Sequence, residues 1–297
     1  MFWSKKTKTK MQQVKNHHKE PQSIPKWQPT YIPIEKNKTV RKPPILEHTK
    51  NDWEKEFLKT FNQLTQKYRA WDVWRDFIIM YACALSNPFD KENFDAREKR
   101  YLKIINKYSK NEQAIFLELT AQITMALDDN PEQDFLGKVF MELNLGNGDK
   151  GQFFTPYHVC ELMAEIAIGD VEEKIKQKGY VSVNDPCCGA GATLIAGIHT
   201  IRKRLEKCKP PLNYQNCVLV VAQDIDEIVT LMCYIQISLL GVAGYIKVGN
   251  SITEPMVVGE NMDNYWFTPM YFSETWQCRT LLQKIKKLFS EEEKQND

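Results

Sequence analysis

Four polar or turn-forming residues stand where short apolar runs end: Asp185, Asp224, Asn250 and Thr268. The first opens the stretch Asp185-Pro186-Cys187-Cys188-Gly189-Ala190-Gly191. Glycines let a chain turn tightly and bring its backbone close to a ligand. A helix that starts after such a turn aims its free N–H groups at that ligand. The stretch is not a P-loop, because no Gly-Lys-Ser/Thr follows, and not a dinucleotide fingerprint, because the third glycine is missing. A carboxylate directly ahead of the turn repels phosphate and suits a cationic ligand such as S-adenosylmethionine. Asp224 ends the next apolar run, where a carboxylate accepts from both hydroxyls of a ribose. Asp226 is an alternative for the same role.

These residues need strands that end together and helices that begin beside them. Tyr180–Val183, Cys217–Ala222, Gly244–Val248 and Tyr265–Phe267 read as strands, and Tyr157–Ile168, Ala192–Lys207 and Glu227–Leu240 as the helices between and before them. Thr155 is placed to cap the first of these helices, with Pro156 at its first position. Strands alternating with helices predict a parallel, doubly wound sheet, in which ligands bind beyond the carboxyl ends of the strands. Ahead of this, residues 51–146 carry apolar residues at three- and four-residue spacing (Trp71, Trp74, Phe77, Ile78, Tyr81, Leu85) and predict a helical domain whose aromatic residues form core. Further helices are expected over Arg97–Tyr108, Glu112–Leu127 and Phe135–Leu143, and a charged one over Thr275–Lys287 before the tail.

Composition bounds the rest. The chain has 297 residues, 42% hydrophobic and 26% charged. Its net charge of +2 hides an asymmetry: residues 1–50 hold 12 Lys/Arg against 3 Asp/Glu, and the remainder 28 against 35. A basic, proline-rich arm ahead of an acidic body reads as a polyanion contact or as a solvated tail. No apolar run reaches the roughly 18 residues that span a bilayer, and the eight cysteines never form Cys-x-x-Cys. The expectation is a cytoplasmic, thiol-reduced protein with no membrane contact and no metal site.

Gly151-Gln152-Phe153-Phe154-Thr155-Pro156, followed by Asp185–Gly191, resembles the paired cofactor motifs of the modification subunit of type I restriction systems. It is similar to the wider group of adenine-specific DNA methyltransferases, over roughly residues 130–272. The resemblance implies a Rossmann-like α/β fold that binds S-adenosylmethionine and acts on DNA, with a specificity or other protein subunit as partner. Composition, periodicity and the resemblance together divide the chain into four segments: an arm over 1–50, a helical domain over 51–146, a methyltransferase-like domain over 147–274 and a C-terminal helix and tail over 275–297. The resemblance also implies roles. Phe154, Thr155 and Pro156 would lie beside the methionine end of the cofactor. Asp185, Cys188, Gly189 and Gly191 would form the turn beneath it. Asp224 would hold the ribose, Ile225 the adenine face, and Asn250, where the family usually has Asp, the cofactor base.

The catalytic motif of that family is Asn, Asp or Ser followed by Pro-Pro and an aromatic residue, at the end of the fourth strand. Its polar atoms accept from the target amine and its aromatic ring stacks on the flipped base. The equivalent positions here are Thr268, Pro269, Met270 and Tyr271, so Thr replaces Asn and Met replaces the second Pro. Only about 25 residues follow Phe272, and the sheet is expected to stop at four parallel strands. Two functions follow: a DNA adenine methyltransferase working with a partner that reads sequence, or a catalytically inactive relative that binds DNA or a partner within a mobile element or restriction-modification system. A methyltransferase acting on a protein or small molecule is a distant third.

Overall fold

Val218–Asp224 opens on the apolar run Val-Leu-Val-Val-Ala and forms β2, an inner strand of a four-stranded sheet ordered β1-β2-β3-β4. The structure is a computed structural model and describes residues 52–145, 154–257 and 261–282. β1 (Val181–Asp185) and β3 (Ala243–Val248) flank β2 in parallel, with Asp185 opposite Ala222 and Asp224 opposite Val248. The parallel crossovers run through α8 (Ala192–Leu205) and α10 (Glu227–Leu239), as the alternating pattern requires. The three strand ends therefore finish at one edge of the sheet.

β4 (Tyr265–Phe267) departs from the expected parallel arrangement. It pairs antiparallel with β3, Tyr245 opposite Phe267 and Lys247 opposite Tyr265. The reason lies in the connection. A parallel partner needs a crossover, usually helical, and the described residues between β3 and β4 contain turns but no helix. The chain turns back at the end of β3 and runs down its side. Arg97, 5% exposed, holds the returning strand. It donates to the carbonyl of Tyr265 at 2.6 Å, pairs with Asp90 at 2.5 Å, and stacks over Trp266 at 4.0 Å.

The helices before the sheet are α1 (Trp53–Thr65), α2 (Ala70–Ser86), α3 (Phe94–Ile105), α4 (Lys110–Asp129) and α5 (Phe135–Glu142). Most of the expected aromatic residues are core, but Trp71 is 37% exposed and lies at its rim, against Phe140. Phe57, Phe61, Trp74 and Phe77 are buried together with ring centroids 6.0 to 6.4 Å apart. The same continuous core includes the buried faces of α8, β2 and α10, so the helical region seats the sheet on its α10 side. Two helices were not legible from apolar periodicity. α7 (Val171–Lys178) is polar, and forms because Asp170 caps it, Glu172 and Glu173 lie in its first turn, Lys176 and Lys178 in its last, and Gly179 closes it at φ 80°. The four-residue α9 (Tyr214–Cys217) precedes β2. Helix is also assigned to 274–282; the rest of the expected C-terminal helix, the arm and Gly151–Phe153 lie outside the described residues.

Candidate cofactor site

The turn after β1 is built by backbone geometry that glycine alone adopts freely. Gly189 has φ 52° and Gly191 φ 98°, and Gly191 is the N-cap of α8. A Cβ at Gly191 would stand 2.9 Å from Cys233 Sγ, and one at Gly189 would stand 3.4 Å from the ring of Phe154. The turn is thus pressed between α10 and the phenylalanine of the upstream motif. Asp185 braces it from below. Its carboxylate accepts from Cys187 N at 3.0 Å and from the hydroxyl of Thr193. Cys188 N donates to Gln223 O at 3.0 Å, so the turn is stitched to β2 as well. The Cys188 thiol is buried beside Cys233. That partner first, then burial and the nearby Asp224 and Asp185 carboxylates, holds its pKa well above the usual range. It is a packing thiol, not a nucleophile.

Above the turn lies a cavity of about 550 Å³, within the range of small-molecule sites of this kind (~300–1,000 Å³). Four carboxylates line it, those of Asp134, Asp185, Asp224 and Asp226, and no Lys, Arg or His does. Among the described residues no three of these side chains group as a metal-ligand set. Spread acids around a cavity of that volume fit an organic cation.

Most of the anticipated residues come together. Phe154, Thr155, Asp185, Cys188, Gly189, Asp224 and Ile225 all line the cavity. Asp224 Oδ2 accepts from Gly189 N at 2.9 Å and Oδ1 from Asp226 N at 3.0 Å. Each oxygen keeps a second lone pair, which is what a ribose diol requires. Asp226, the alternative, is committed as the N-cap of α10, accepting from Ile228 N and Val229 N. Ile225 is 69% exposed, an apolar side chain left uncovered at the cavity mouth. Phe154 packs on Phe140 of α5 with centroids 5.4 Å apart.

Other positions fall elsewhere. α6 (Tyr157–Ala167) begins at the anticipated Tyr157, but Pro156, not Thr155, is its N-cap residue, and no side chain caps it. Asn250 lies outside the cavity lining. Its side-chain amide oxygen Oδ1 accepts from Ile252 N and Thr253 N, closing the turn after β3. Thr268 is displaced furthest. Because β4 runs antiparallel, Thr268 meets Gly244, at the start of β3, not Val248 at its end. Four strand residues separate these levels, about 13 Å along the sheet at ~3.3 Å per residue. Thr268 is fully buried, and its hydroxyl accepts from Gly244 N at 2.9 Å and donates to Val242 O at 2.8 Å. Pro269 starts a 3-10 turn over Pro269–Phe272, and Tyr271 packs against Phe267 and Tyr245 beside a second cavity of about 350 Å³. None of the three reaches the cofactor cavity.

A profile of the N-6 DNA Methylase family matches residues 134–296, more than half of the chain. The chain belongs to the N-6 DNA methylase family. Membership in a methylase family implies S-adenosylmethionine as cofactor. One solved structure aligns, a class I S-adenosylmethionine-dependent methyltransferase of Listeria monocytogenes, at 14% identity over 68% of this chain and 55% of that one, with a TM-score of 0.35. The methylase chain thus spans about half the length of that structure. No curated protein matches it. Among the described residues no helix is long and apolar enough to cross a membrane.

One charged lining residue escaped the motif reading altogether. Asp134 is the N-cap of α5 and the first residue of the family match. A signal existed: Gly137 stands inside α5, where glycine weakens a helix, and a Cβ there would collide with the Asp134 carboxylate.

Proposed function

We propose that this methylase-family chain binds S-adenosylmethionine in the cavity above Asp185–Gly191 and does not by itself transfer the methyl group, acting instead as a DNA- or partner-binding member of a methylation system. The observation that carries this reading is the antiparallel β4. It moves Thr268, the candidate that the family pattern offers for the target-amine acceptor, to the opposite end of the sheet and closes its hydroxyl in two internal hydrogen bonds.

In this reading Phe154, Thr155 and Pro156 stand beside the methionine end. Asp185, Cys188, Gly189 and Gly191 shape the turn beneath the ligand, Asp224 accepts from the ribose and Ile225 covers the adenine. Asn250 holds the loop that follows β3 and acts on the base only through that loop. When bound, the cofactor supplies a methyl group activated on a sulfonium. The chain's own residues bind it, orient it and balance its charge. Transfer to an adenine exocyclic amine would then need an acceptor and a stacking aromatic at the cavity mouth from another chain, with DNA as substrate and a specificity subunit as the natural companion. The basic residues 1–50 would add phosphate contacts.

Calorimetric titration of S-adenosylmethionine into the wild type and Asp185→Ala tests the site, and binding lost in the variant is the expected result. Incubation with labelled cofactor and adenine-containing duplexes, alone and with the products of neighbouring genes, tests the rest. Transfer by the chain alone that falls with Thr268→Ala would refute the non-transferring role.

A further inference from the structure

Asp134 has no assignment in the paired motifs, yet it is a carboxylate 5% exposed that faces the cofactor cavity. Its Oδ1 accepts from Gly137 N and from the Gln236 amide, each at 2.8 Å. Both donors are neutral. Its Oδ2 has no hydrogen-bond partner and no ion pair among the described residues, and the one cation that acts on it, the exposed Lys138 four residues on, does so through space. Gln236, itself fully buried, also donates to Ala190 O at 2.9 Å and accepts from Leu136 N at 3.1 Å. Through Gln236 this clamp ties Asp134 to Ala190 of the glycine-rich turn. The same helix, α5, packs Phe140 on Phe154, another residue of the cavity lining.

A buried carboxylate without a counter-charge is costly. Capping α5 does not require that cost, since a neutral Asn or Ser caps as well and capping uses one oxygen. Burial holds the Asp134 pKa above the ordinary carboxylate value, against the opposing pull of its two hydrogen bonds and of Lys138. On the reading of the cavity as a cofactor site, we propose that Asp134 recognises the α-ammonium of the methionine portion, with Oδ2 accepting its N–H. The sulfonium offers no N–H and gains only from the general negative field of the cavity. An ammonium fits both the charge and the missing donor.

The test compares three ligands on the full chain and on Asp134→Asn, a nearly isosteric change that keeps the cap and the Gln236 bond. S-adenosylmethionine carries the ammonium and the sulfonium, S-adenosylhomocysteine the ammonium alone, and methylthioadenosine neither. Asp134→Asn should weaken the first two by about 10- to 100-fold, the loss expected when a charged hydrogen bond becomes a neutral one, and leave the third unchanged. Its melting temperature should not fall. Equal loss for all three ligands would show that Asp134 only shapes the turn, and would overturn the proposal. Loss for S-adenosylmethionine alone would place the sulfonium at Asp134 and overturn it too. Unchanged binding of all three would do the same while leaving the cofactor site standing. A wild type that binds none of them would overturn the cofactor reading itself.

Discussion

Gly191→Ala is the perturbation whose cost the structure allows to be worked out in parts. Gly191 has φ 98°, where an L side chain is strained by about 1–2 kcal/mol. The new Cβ would meet Cys233 Sγ at 2.9 Å and Cys233 Cβ at 3.4 Å. Cys233 is fully buried on α10 and cannot swing into solvent, so the contact must be relieved by shifting packed elements, at about 1–3 kcal/mol. The total is about 2–5 kcal/mol, a large part of the ~5–15 kcal/mol that holds a typical domain folded. Urea denaturation of Gly191→Ala, Cys233→Ala and the double variant separates the parts. Truncating Cys233 removes the sulfur that the new methyl strikes. The double variant should therefore recover the packing component, a coupling of about 1–3 kcal/mol, and keep the backbone component. Affinity for S-adenosylmethionine should fall with Gly191→Ala and return only partly in the double variant. Additive energies would refute the contact, and a Gly191→Ala variant within about 0.5 kcal/mol of wild type would refute the whole account.

Three further outcomes follow from the same geometry. Thr268→Val keeps the shape of a fully buried side chain but strands Gly244 N and Val242 O; chemical denaturation should show a loss of about 1–3 kcal/mol, with cofactor affinity unchanged. Asp134 has a folded pKa raised by burial above its ordinary 3.8. Its contribution to stability is therefore present below 3.8 and lost as pH rises through the raised value. Without cofactor, Asp134→Asn should match the wild type at low pH and exceed it at neutral pH, and a variant less stable at neutral pH would contradict the unpaired charge. Cys187 is exposed and lines the cavity, so S-adenosylmethionine should slow its alkylation, read by mass spectrometry, while the exposed Cys278 reacts at an unchanged rate.

The cofactor half of the site was legible because its information is local. Asp185–Gly191 states a turn, a carboxylate and a helix start in seven residues, and Asp224 is marked by the end of an apolar run. The structure draws these into one cavity because parallel strands with helical crossovers end at a common edge. Phe154 could be placed by its motif, and its stacking on Gly189 and Phe140 gives that placement a physical basis. Asp134 was not legible, because its importance depends on Gln236, 102 residues later. Its local surroundings show only an acid ahead of a short apolar helix. The polar helix α7 was missed for a different reason: its caps and end charges were present in the sequence, and only the search for an apolar stripe passed over them.

Residue type and spacing alone determined that strands and helices alternate after residue 151, that a glycine-rich turn follows an aspartate, and that the turn suits a cationic ligand. Those features rest on backbone freedom, capping and side-chain period, which act over a few residues. Tertiary structure alone decided the direction of the last strand, and with it whether Thr268, Pro269 and Tyr271 meet the cofactor. Strand direction is set by how the connection packs and by long-range partners such as Arg97 holding Tyr265. The three residues Tyr265–Phe267 read the same in either direction. Reversing them moves a threonine from a site's edge to the interior of the sheet, because a strand carries its end residues about 3.3 Å further with every position.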